Sequence, residues 1–164
     1  MTQDLDAQPQ TLQELSRPEH LLVWALRAIA IGHEDCPLLC QTFNRTCGPM
    51  GWQALTAYGI LVKTIGMTGR RRLCVHVPGC QCVGEDEKAI VGVVTAAQES
   101  LDRCDERRLR SLLQRLIERE PAESLVFAAQ AVARILESSG LLPPRLRRHD
   151  DFASGGVAPL AMIH

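Results

Sequence analysis

The sequence predicts a mainly α-helical single domain, a bundle of about six helices with one short strand or hairpin near 71–82. Three observations carry this expectation. Hydrophobic residues make up 46% of the chain but aromatics only 4%, so the core must be built from Leu, Ile, Val and Ala, which suits packed helices better than a β-sandwich. Apolar residues recur at i, i+3, i+4 and i+7 through most of the chain. Only Leu73-Cys74-Val75-His76-Val77 alternates with period two, and Pro78-Gly79 turns it.

The elements follow in order. Residues 1–15 are polar and without periodicity, which predicts a loose tail. Ser16-Arg17-Pro18-Glu19 is a capping box with proline in the first turn, and it opens a helix over about 18–32. That helix carries Leu21, Leu22, Trp24, Leu26 and Ile29 and is apolar nearly all round, as a central buried helix would be. Asp35 and Pro37 begin a second helix, which Gly48-Pro49 stops. A third runs over about 50–65 through Trp52, Leu55, Tyr58, Ile60, Leu61, Val62 and Ile65, with glycines at 59 and 66.

Three helices fill the second half. Ile90, Val93, Val94, Ala97, Leu101 and Cys104 share one stripe over about 85–104. Leu109, Leu112, Leu113, Leu116 and Ile117 do so over about 105–118. Pro121 opens the last helix, with Leu125, Ala128, Ala129, Val132 and Leu136 inward and Gly140 at its end. After Pro143-Pro144 the chain turns basic and then glycine-rich, so 143–164 reads as a disordered tail and 16–142 as the domain. A chain of 164 residues can bury such a core without staples.

Formal net charge is −1, which gives no general drive toward nucleic acid or anionic membranes. The clusters Arg70-Arg71-Arg72, Arg107-Arg108-Arg110 and Arg145-Arg147-Arg148 have acidic neighbours and no interleaved aromatics, which speaks against a nucleic-acid surface. The start lacks a basic region followed by an apolar one, and no apolar run is long enough to span a bilayer. A cytoplasmic location with no membrane contact is the default expectation. Thiols stay reduced there, so seven cysteines point to metal, redox or buried-thiol roles rather than a disulfide framework. No phosphate loop, G-x-S-x-G, H-E-x-x-H, Rossmann glycine pattern or C-x-x-C-H occurs, and the reading leans away from an enzyme.

The cysteines fall into groups. Cys36, Cys40 and Cys47 lie within about 40° of one another on a helix. Phe43 shares their stripe, which favours a core face, while a pair of thiolates one turn apart could instead grip a soft metal ion. Residues 74–82 read CVHVPGCQC. As a hairpin, this stretch sends Cys80 and Cys82 to the apolar side with Val75 and Val77, leaving Cys74 and His76 outside. As a loop, it presents Cys80 and Cys82 together to one ion, with Cys74, His76 or the Cys36 and Cys40 pair completing the set. Several thiolates suit zinc, copper(I) or an iron–sulfur cluster, although C-x5-C-x-C matches no strong zinc or ferredoxin spacing. A Cys74–His76 nucleophile pair is disfavoured, because i, i+2 spacing rarely aligns sulfur with imidazole and no third group orients the ring.

The order of features from 18 to 142 resembles a group of small helical proteobacterial proteins that carries no assigned activity. The resemblance rests on Pro18–Ile29, on the arginine-led strand ending in Pro78-Gly79-Cys80-Gln81-Cys82, and on the helix entered through Glu85-Asp86-Glu87. It extends to Ala128–Leu136 followed by Gly140-Leu141. In that group two adjacent cysteines follow the proline, whereas here Gln81 separates them.

The leading expectation is a non-enzymatic protein that binds a soft metal ion or an iron–sulfur cluster through cysteines, in sensing, carriage or accessory support. The alternative is a helical protein–protein interaction module whose cysteines only pack, and a third reading is a thiol redox protein. A protein partner or a homo-oligomer is expected in either of the first two.

Overall fold

In the computed structural model, which describes residues 10–141, the first helix, α1 (Arg17–Ala30), starts at the capping box. Ser16 Oγ accepts from the Glu19 amide and Glu19 Oε2 accepts from the Ser16 amide at 2.8 Å, so two amides that a helix start leaves open are satisfied. The chain continues through α2 (Pro37–Cys47), α3 (Gly51–Thr68), α4 (Glu85–Arg103), α5 (Arg107–Ile117) and α6 (Glu123–Ser138). The protein is mainly helical, as its sequence predicts. Residues 1–9 of the expected tail over 1–15, and all of the expected tail over 143–164, lie outside the described residues.

Helix α6 packs against α3 and α4, α5 lies on α4, and α2 lies on α3. Helix α1 touches both α3 and α4, and its residues Leu21–Val23 and Ala25–Ile29 are all buried. Leu22, Phe43, Leu61, Ile90, Leu113 and Val132 are among the side chains that lose all contact with water. At about 25 cal/mol per Å² of apolar surface removed from water, this shared core is the main source of stability. The contact between α2 and α3 is backbone-close. A Cβ placed on Gly51 would sit 2.5 Å from Asn44 Cα, so only glycine permits the approach.

Three expectations need correction. First, the stretch 71–82 forms neither a strand nor a hairpin. Pro78-Gly79 does turn the chain, with Gly79 at φ 91° and the Cys80 amide donating to Val77 at 3.2 Å, in the manner of a type II turn. That turn does not match the twist of a two-residue hairpin. The only β pairing among the described residues is an isolated antiparallel bridge between Thr11 and Cys82.

Second, residues 10–15 are not loose. The Leu12 amide donates to Gln81 O and the Val83 amide to Gln10 O, both at 2.8 Å, and a short 3-10 helix spans Leu12–Glu14. On α3, Leu55, Tyr58, Leu61, Val62 and Ile65 are buried, while Trp52 and Ile60 are exposed. Third, Cys104 is exposed rather than packed. It ends α4 in the left-handed conformation at φ 52°, where the chain reverses direction into α5.

Candidate functional site

The segment between α3 and α4 is built around a buried ion pair. Arg27, in the middle of α1, donates from Nε to Glu87 Oε1 at 2.7 Å and from Nη2 to Glu87 Oε2 at 3.0 Å. The remaining reach of the guanidinium takes two carbonyls of the cysteine segment, Cys80 O at 2.5 Å and Cys82 O at 2.6 Å. Glu87 is the third residue of α4, and its carboxylate also accepts from the Gly84 amide at 2.8 Å and the His76 amide at 3.1 Å. His76 Nδ1 lies 3.1 Å from Glu87 Oε2.

This arrangement explains why no hairpin forms. In a hairpin the backbone groups of 74–82 would bond across to one another. Here the carbonyls of Cys80 and Cys82 go to a guanidinium and the amide of His76 to a carboxylate. Asp86 captures the Cys74 amide at 2.7 Å while holding Arg71 through two bonds of 2.9 and 2.6 Å. Backbone polar groups need partners, and side chains from α1 and the start of α4 supply them.

The electrostatics follow from this geometry. Burial alone would raise the pKa of Glu87, but the hydrogen bonds from Arg27, the Gly84 amide and His76 outweigh it and hold the group at about 2. The bidentate Arg71 contact keeps Asp86 below the usual carboxylate range. Tyr58, fully buried, is pushed far above the usual phenol range by desolvation and then by the nearby Glu87 charge. Its hydroxyl has no hydrogen-bond partner among the described residues. Gly84 completes the packing, since a Cβ there would lie 3.0 Å from His76 Cε1.

All seven cysteines are free thiols. Cys80 and Cys82 are half-buried on the latched segment, and Cys74 is exposed beside them. Cys36 is the residue before α2, and Cys40 Sγ sits 3.9 Å from Glu34 O one turn on. Cys36 and Cys40 lean against the core, and Cys47 is buried in it. Among the described residues, no three His, Cys, Asp or Glu side chains are grouped to hold a metal ion. His76 is oriented by a carboxylate after all, but no hydrogen bond joins it to Cys74. Arg27 and Glu87, the residues that organise the site, were not among the sequence candidates. The available signals were a lone charge inside an apolar run, Leu21–Ile31, and a glutamate in the first turn of α4.

The outer face of α3 is the other unusual surface. Trp52, Ile60 and Met67 are 57%, 56% and 85% exposed, and their spacing puts them within about 80° of one another around the helix. Ile31, just past α1, and Val77, on the latched segment, are also exposed and line the same groove as Gly66 of α3. The latch thus fixes the position of one edge of this surface. No described helix is long and apolar enough to cross a membrane. Comparisons with protein-family models, curated proteins and solved structures find no match for this chain.

Proposed function

We propose that this chain is a helical protein–protein interaction module that docks a partner protein on the outer face of α3. The observation that carries the reading is the row Trp52, Ile60 and Met67, exposed on one helix face and continued by Ile31 and Val77. Single exposed apolar residues are ordinary, but an aligned row of large ones marks a surface made to be covered. Tryptophan and methionine are enriched at such interfaces, and tryptophan often dominates their energetics. The soft-metal and thiol-redox readings have weaker support, because the thiols are spread over α2, the segment between α3 and α4, and the end of α4, and no three ligand side chains are grouped among the described residues.

In this reading the Arg27–Glu87 latch is structural. It holds the segment carrying Val77 against α1 and α4, so the edge of the docking face is preformed. Preformed surfaces bind with less loss of conformational entropy.

Site-specific photo-crosslinking in cells tests the proposal. A benzophenone amino acid placed at Met67, and in a second variant at the exposed Gln114 of α5, gives the comparison. The expected result is a discrete protein adduct from position 67 that is missing from position 114. Equal or absent adducts at the two positions would contradict it.

A further inference from the structure

Beside the docking face, on the flank of α3 that faces α1, runs an open groove of about 500 Å³. That volume lies within the range of small-ligand sites. Ile29, Ile31, Val62, Val75 and Val77 form its walls. Gly66 forms a notch in its floor, where an added Cβ would meet nothing within 4 Å.

The polar members of the groove are Lys63, Arg72 and His76, and no carboxylate lines it. Lys63 is already paired with Glu34. His76 is tied through Nδ1 to Glu87. The Arg72 side chain is exposed and makes no hydrogen bond or ion pair among the described residues. Its neighbour Arg71, in contrast, is fully engaged by Asp86. The groove is therefore an apolar trough ending at one uncompensated guanidinium, the complement of an apolar chain with a single anionic head.

We propose that this groove binds a free aliphatic monocarboxylate of medium chain length. The hydrocarbon lies along Val62, Val75 and Ile31 over the Gly66 notch, and the carboxylate meets Arg72. Guanidinium–carboxylate pairing is bidentate and charge-assisted, while the chain gains about 0.8 kcal/mol for each methylene it buries. The groove shares Ile31 and Val77 with the docking face but none of Trp52, Ile60 and Met67, so binding of the carboxylate and docking of a protein partner are tested by different residues.

Calorimetric titration of the full chain with sodium decanoate below its micelle concentration tests this. Decanol and decyltrimethylammonium serve as uncharged and cationic probes of matched length. Saturable one-to-one binding of decanoate is expected, with decanol about tenfold weaker or more and the cation weaker still. Arg72→Gln should cost about tenfold in decanoate affinity and leave decanol unchanged. Gly66→Leu should abolish binding of both by filling the notch. This variant tests occupancy without threatening the fold, because leucine is a better helix former than glycine and the space is open. Absence of saturable decanoate binding, decanol binding as tight as decanoate, or indifference to both substitutions would each overturn the proposal.

Discussion

Arg27 and Glu87, separated by 60 residues in the chain, meet in the core with Arg27 Nε 2.7 Å from Glu87 Oε1 and both side chains essentially closed to solvent. The pair joins α1 to the start of α4 and traps the segment between them, since the same guanidinium holds the carbonyls of Cys80 and Cys82. Removing one partner of a buried ion pair leaves the other charge uncompensated. Glu87→Gln and Arg27→Met should therefore each destabilise the fold by about 3–5 kcal/mol in urea unfolding. Arg27→Met combined with Glu87→Gln should cost less than the sum of the singles, because neither charge is then stranded. Single-variant losses below about 1 kcal/mol would show that the pair does not organise the segment.

Acid should loosen the same latch. Glu87 has an ordinary value of 4.5 and is held at about 2 in the folded chain. The unfolded chain takes up this proton first as the pH falls, so the pair's contribution is complete above about 4.5 and fades as the pH approaches 2. Asp86, also held low, acts in the same direction. Thermal unfolding followed by circular dichroism across this range should show Tm falling toward the acid end. Glu87→Gln should flatten the profile as well as lower it. A wild-type profile no steeper than that of the variant would contradict the assignment.

Cys104 offers a simpler test of backbone conformation. It ends α4 at φ 52°, a region in which L-residues other than glycine pay about 1–2 kcal/mol. Cys104→Gly should raise stability by about 1 kcal/mol, read as a higher urea midpoint with an unchanged slope, since the exposed thiol contributes no packing. A loss of stability would contradict backbone strain at this helix end.

How much of this could be read in the sequence depends on the range of the interaction. Helix α1 announces itself through Ser16 and Glu19, three residues apart, and α5 through a stripe in which Leu109, Leu113, Leu116 and Ile117 are all buried. The alternation is real as burial over 73–75 but breaks at Val77, which is exposed. Leu73 and Val75 pack against the core while Cys74 is exposed. Alternation names a side for each residue but not a partner, and here the partners are side chains of Arg27, Asp86 and Glu87. Glu87 was legible only as part of an acidic helix start, since nothing local shows that it turns inward to a charge on α1. The exposure of Trp52 and Ile60 was not legible for a related reason. Helix α3 is apolar nearly all round, so periodicity could not tell which part of its circumference the neighbouring helices leave bare.

The central claim is that the row on α3 is a docking face, and the most direct measurement is the affinity of the protein captured from position 67, once purified, for the wild-type chain and for Ile60→Glu. Ile60 is 56% exposed, so the substitution should leave the fold intact, and circular dichroism verifies this in the same samples. A charge placed in the middle of the apolar row should weaken binding by at least about tenfold, or 1.4 kcal/mol. Equal affinity of the two chains would contradict the account.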